Sequence, residues 1–99
     1  MTELKSRHIL IKPSVILSDE KAEKMLKEFR KEILAGEADF AELAKEHSAD
    51  PGSALRGGDL GWSDPNVYSP AFRDTLQTLD VDEISQPVRS VHGWHLMQL

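Results

Sequence analysis

Pro87-Val88-Arg89-Ser90-Val91-His92-Gly93-Trp94-His95-Leu96-Met97-Gln98-Leu99 is the stretch that decides the fold class. Two strand-like runs, Pro87 to Val91 and Trp94 to Leu99, flank His92-Gly93, with glycine supplying the positive φ of a two-residue connection. In the second run Trp94, Leu96 and Gln98 face one way, and His95, Met97 and Leu99 face the other. The chain therefore ends in an antiparallel β-hairpin. A first strand is expected over Arg7 to Lys12, with Ile9 and Ile11 on one face and His8, Leu10 and Lys12 on the other. Pro13-Ser14 ends it.

Helices lie between these strands. Ser18 is the expected N-cap of the first, with Asp19 and Glu20 in the first turn, where carboxylates suit the helix dipole. Ala22, Met25, Leu26, Phe29, Ile33 and Leu34 repeat at helical spacing, and Gly36 caps the end. Glu20–Lys24 and Glu23–Lys27 are i,i+4 pairs for the outer face. Asp39, with Glu42 three residues on, opens a second helix whose inner face is Phe40, Leu43, Ala44 and His47. The dense charge of residues 19–50 fits a solvated outer surface. From Ser48 the composition changes: Asp50-Pro51-Gly52-Ser53 and Arg56-Gly57-Gly58 are turn signals. Asp59 to Trp62 is a short strand candidate. Ser69-Pro70 starts a third helix of about ten residues carrying Phe72, Leu76 and Leu79. Strand, two helices, glycine-rich loop, short strand, helix and hairpin make an α+β domain with a small antiparallel sheet.

Composition bounds the function. The 99 residues form one domain, and 12 Lys and Arg against 17 Asp and Glu leave a charge of −5. That balance argues against nucleic acid, which wants a basic face. Hydrophobic and charged fractions of 39% and 29% fit a globular domain. No cysteine is present, so disulfides, thiolate zinc sites and thiol nucleophiles are excluded. No apolar run approaches the roughly 20 residues needed to span a bilayer. No signal peptide is seen, and the blunt ends are expected of a module within a longer chain.

Candidate chemistry centres on histidine. His8 and His95 would project from the same sheet face if their strands are neighbours. A metal reading lacks a third ligand, His-x-His or His-Glu-x-x-His. Catalysis and a structural pair of hydrogen-bonded buried histidines both remain open on the residues alone. Asp50 before Pro51 fits an Asx-turn, or a general base with a partner. Ser48 and Ser90 carry the same ambiguity. No Gly-x-Ser-x-Gly, Walker A or dinucleotide fingerprint is present. Leu60, Trp62, Tyr68, Phe72 and Met97 lie near these loops, and an apolar pocket with a polar rim suits an extended peptide.

Together, several blocks resemble the parvulin family of peptidyl-prolyl cis/trans isomerases. They are Arg7-His8-Ile9-Leu10, His47-Ser48-Ala49-Asp50, Arg56-Gly57-Gly58-Asp59-Leu60-Gly61-Trp62, Pro70-Ala71-Phe72 and Gly93-Trp94-His95. The blocks run in order across nearly the whole chain. They are most similar to parvulin domains within Gram-negative periplasmic chaperones of outer-membrane proteins. The resemblance implies the FKBP-like parvulin fold, a four-stranded antiparallel sheet wrapped by about four helices, the extra one near Gly52 to Leu55. It places His8 and His95 side by side at the floor of the site as catalytic residues, with Asp50 where some members have cysteine. Leu60, Tyr68 and Phe72 would line the proline pocket, and Ser90 would lie nearby on the hairpin as a substrate-binding residue. Tyr68 departs from the methionine common at its position, and His92 has no role beyond turn geometry. Lys12 to Leu17 holds one Lys and no Arg, so phosphate-dependent specificity is not expected. The implied activity is cofactor-free, non-covalent isomerisation of X–Pro bonds, with neither metal nor cofactor. Implied partners are proline-containing unfolded polypeptides, outer-membrane proteins among them, and the other domains of the parent chain. The implied location is periplasmic. A catalytically weak, peptide-binding module is the alternative.

Overall fold

In the computed structural model, which describes residues 2–99, the sheet grows from its two inner strands, β1 (Leu4–Ile11) and β4 (Gly93–Gln98). They pair antiparallel from Arg7↔Gln98 to Ile11↔Trp94. The glycine-rich loop supplies β2 (Asp59–Ser63) on one edge, and β3 (Val88–Ser90) lies on the other, giving the order β2-β1-β4-β3. The helices are α1 (Asp19–Leu34), α2 (Phe40–His47), the single turn α3 (Pro51–Ala54) and α4 (Pro70–Leu76), with a 3-10 turn at Pro65–Val67. Among the described residues no helix is long and apolar enough to cross a membrane.

Strict alternation on β1 and β4 sorts side chains into two cores. Ile9, Ile11 and Leu96 face α1 and α2, where they meet Ala22, Leu26, Phe29, Phe40 and Ala44. Met97 faces the other way, onto Phe72 and Leu76 of α4. Each fully buried Leu or Phe stabilises the fold by about 1.5–3 kcal/mol. Caps then fix the helix ends. Ser18 Oγ accepts from Lys21 N (3.2 Å), and Asp39 Oδ2 accepts from Glu42 N (3.1 Å). After α1, Gly36 at φ +75° donates to Ile33 O while Glu37 donates to Glu32 O, closing a Schellman motif.

Several boundaries differ from expectation. β1 begins at Leu4, not Arg7, because Leu4 to Arg7 pair with β2 through a bulge; the polar run Lys5-Ser6-Arg7 hides that long-range pairing. Ser90 pairs with Gly93, so the hairpin loop is Val91-His92 rather than His92-Gly93. Gly93 (φ +142°) serves close packing instead: a Cβ there would lie 2.7 Å from Ile11 O. α4 stops after seven residues, although Leu79 still packs against its core. Ser69 makes no side-chain cap bond. Leu34 points outward, 61% exposed. Of the two i,i+4 pairs, Glu23–Lys27 forms at 3.7 Å, and Glu20–Lys24 is not among the ion pairs of the described residues.

Candidate active site

His8 and His95 come together because β1 and β4 are neighbours. The register Leu10↔His95 and His8↔Met97 sets the two histidines diagonally on the face that looks toward α4. Their Nδ1 atoms lie 3.0 Å apart, with rings inclined by only 18°. Both are buried. Phe72 stands edge-on over them, its ring centroid 5.5 Å from His8 and 5.1 Å from His95, near perpendicular to each.

Asp50 reaches the pair from the loop after α2. That loop runs beside the end of β1: Ala49 N donates to Leu10 O (2.6 Å), and Leu10 N donates to Ser48 Oγ (3.1 Å). Asp50 then caps α3, taking Gly52 N at 3.3 Å, and its Oδ2 meets His8 Nε2 at 2.8 Å. Ser53 Oγ donates to the same Oδ2 at 2.7 Å. At the other end Ser90 Oγ lies 2.6 Å from His95 Nε2. A carboxylate can only accept, which assigns the protons along the whole line. His8 donates from Nε2 to Asp50, so its Nδ1 accepts from His95 Nδ1–H, and His95 Nε2 accepts from the Ser90 hydroxyl.

The electrostatics agree with two neutral imidazoles beside an anion. Burial, with the neighbouring His8, pushes His95 down to about 3. Burial also lowers His8, against the opposing pull of Asp50. At Asp50 burial acts upward, but Ser53, His8 and Gly52 N–H together outweigh it and hold the carboxyl below its ordinary range.

Over this floor opens a cleft of about 310 Å³. Leu60, Val67, Tyr68 and Phe72 form its apolar wall, and His8, Asp50 and His95 its polar base, with Lys12 and His92 at the rim. A groove beside Leu4, Arg7 and Trp62 is larger, at about 550 Å³, and contains none of the histidines. Among the described residues no cluster of three or more His, Asp or Glu side chains could hold a metal ion.

Of the residues singled out from the sequence, His8, Asp50, His95, Leu60, Tyr68 and Phe72 all meet at this cleft. Ser90 does not line it; the serine is buried and holds His95 from behind. Ser53 escaped the sequence reading. Its signal was the Asp50-Pro51-Gly52-Ser53 pattern, where a capping Asp is followed three residues later by a hydroxyl. His92, read only as a turn residue, stands at the cleft mouth.

The family model for the rotamase, PPIC-type PPIase domain matches residues 8–99. The chain belongs to this family, the parvulin-type peptidyl-prolyl isomerases. It is 90% identical over 99 residues to the chaperone SurA of Pseudoalteromonas atlantica, covering all of this chain and 23% of that protein. It thus spans less than a quarter of that relative's length. Among solved structures, the peptidylprolyl isomerase PrsA of Bacillus anthracis shares 36% identity at a TM-score of 0.85, covering 99% of this chain and 41% of PrsA. A Campylobacter jejuni chain, from work on PEB4 and the periplasmic protein Cj1289 as SurA-like chaperones, shares 32% identity at a TM-score of 0.75. It covers 98% of this chain and 37% of its own length.

Proposed function

We propose that residues 1–99 act as a single isomerase unit that speeds cis/trans exchange of X–Pro bonds in unfolded or extended polypeptides. The parent protein is read as a periplasmic chaperone whose clients include outer-membrane proteins. The observation that carries the activity is an apolar wall, Leu60, Tyr68 and Phe72, directly above the Asp50–His8–His95 line. SurA and SurA-like relatives support the chaperone setting.

The reaction needs no bond broken. Amide resonance sets a barrier of about 18–20 kcal/mol, and it is lost at the twisted geometry. The apolar wall grips the prolyl ring while the preceding carbonyl turns. Removing water there disfavours the charge-separated planar amide, and the ionised Asp50 carboxylate disfavours negative charge on the carbonyl oxygen. Neutral His8, itself held by His95, keeps Asp50 in place at the base of the cleft. A gain of roughly 5 kcal/mol would raise the rate several thousand-fold. Nucleophilic attack plays no part, because a carboxylate adds poorly to an amide. Ser90 acts through His95 rather than by touching the peptide.

Exchange NMR on a short X–Pro peptide tests the reading. Catalytic amounts of the domain should broaden or merge the cis and trans signals. Peptide binding without faster exchange would mean a binding module instead.

A further inference from the structure

On the face of the sheet opposite the histidines lies a second polar cluster that the cleft does not use. Asp19, the first residue of α1, reaches across to the hairpin. Its Oδ1 accepts from Arg89 Nε at 2.7 Å and from Trp94 Nε1 at 2.9 Å. Arg89 and Trp94 are cross-strand partners on β3 and β4. One carboxylate oxygen therefore ties both strands of the hairpin to the helix N-terminus. Each of those two residues directly precedes a member of the buried line: Ser90 follows Arg89 and His95 follows Trp94. Arg89 Nη1 also donates to Ser90 O at 2.6 Å. Beneath the clasp Ser90 Oγ meets both His95 Nε2 (2.6 Å) and His92 N (3.1 Å). The hairpin is thus pinned on one face by Asp19 and on the other by Ser90–His95.

The geometry points to Asp19 as a positioning residue for the catalytic line: it sets the height and twist of the hairpin over β1, and so the placing of His95 against His8 and of the cleft rim. The proposal rests on the isomerase reading for its kinetic consequence, though its structural consequence stands without it. The clasp has two donors with fixed directions, a planar guanidinium and an indole N–H. The helix-side partner sits on a regular element capped by Ser18. Nothing else among the side-chain hydrogen bonds of the described residues joins α1 to β3. Loss of the carboxylate oxygen takes from both donors their shared partner, leaving β3 joined to α1 by no side-chain hydrogen bond among the described residues, while Trp94 and Leu96 still pack against the core beside α1.

The test compares Asp19→Ala, Asp19→Asn and Glu20→Ala. Asparagine keeps an oxygen for both donors, whereas Glu20→Ala removes a charge from the same helix turn without touching the hairpin. Two readouts are taken: exchange-NMR turnover on an X–Pro peptide, and the ¹⁵N signals of the His95 ring, which report its tautomer in the protein without substrate. Asp19→Ala should lower kcat about fivefold with a smaller change in KM, below the roughly 100-fold of a whole-ångström misplacement. It should also move the His95 ring signals. Asp19→Asn should stay within about twofold of the parent, and Glu20→Ala should match it. Trp94→Phe, which deletes one donor and keeps the ring, should fall between. Unchanged His95 signals and turnover in Asp19→Ala would overturn the proposal. So would an equal loss in Asp19→Ala and Glu20→Ala, which would assign the effect to the helix end. A parent without turnover would sink the isomerase reading alone, and the ring signals would still decide on Asp19.

Discussion

Acidification from about pH 7.5 to about pH 4.5 protonates a histidine in the unfolded chain while His95 in the fold stays neutral. The folded value is about 3 against an ordinary 6.5. The sign follows from proton counts: between these two values the unfolded state binds more protons, so stability rises with pH and is lost as pH falls below 6.5 toward 3. Two pH units below the ordinary value, this one group costs about 3 kcal/mol. That is a large share of the about 5–15 kcal/mol that holds a domain together. With a urea slope of about 1.3 kcal/mol per molar, the midpoint should drop by about 2 M from this residue. The assay is urea unfolding at both pH values, on the parent and on His95→Asn. The variant is weaker at every pH, because His8 Nδ1 and Ser90 lose their partner. Its fall between the two pH values should nonetheless be smaller by about 2 M, since His8 and Asp50 still titrate but His95 does not. An equal fall in both proteins would refute the buried neutral imidazole, and with it the proton assignment along the line.

Four other outcomes follow from the same geometry. Phe72→Ala should reduce turnover more than His95→Ala does, provided both fold, because in the proposed mechanism Phe72 grips the ring while His95 only supports Asp50 through His8; complete loss in a folded His95→Ala protein would reverse that order. Phe72→Ala should also lose about 3–5 kcal/mol of stability in denaturant titration, since the side chain is 3% exposed. Ser53→Ala removes a donor that holds the Asp50 carboxyl low, so the acid limb of the kcat/KM profile should move to higher pH. Gly58→Ala should lower Tm sharply, because at φ +85° a Cβ would run into the carbonyl of His8; a Tm near the parent's would contradict this packing.

Where the sequence could be read well, one short period governed the outcome. Alternation from Trp94 to Leu99 placed Leu96 and Met97 in opposite cores, and they are fully buried there. The capped, periodic run from Ser18 was equally plain. β2 was legible as a candidate over Asp59 to Trp62, but the first half of β1 was hidden, because Lys5-Ser6-Arg7 shows no apolar signal and its strand character comes only from pairing with Gly61 and its neighbours. At the site, residue types and faces were legible, and the parvulin-like blocks supplied the grouping. Direction was not legible: nothing in the sequence says that Ser90 turns behind His95 or that Ser53 turns toward Asp50. Both contacts are local, five and three residues apart in the chain, and depend on the rotamer each serine adopts.

The His8–His95 contact joins residues 87 positions apart. β4, which carries His95, is also an inner strand of the sheet. A folding chain in which β4 has not yet docked has neither the second imidazole in place nor the strand that divides the two cores. Such a chain exposes the apolar faces of α1 and α4 together with the edge of β1. Non-local closure of this kind is slow to form. For a protein whose proposed clients are themselves unfolded, the consequence is temporal. By its own criteria the domain is itself a client until β4 docks.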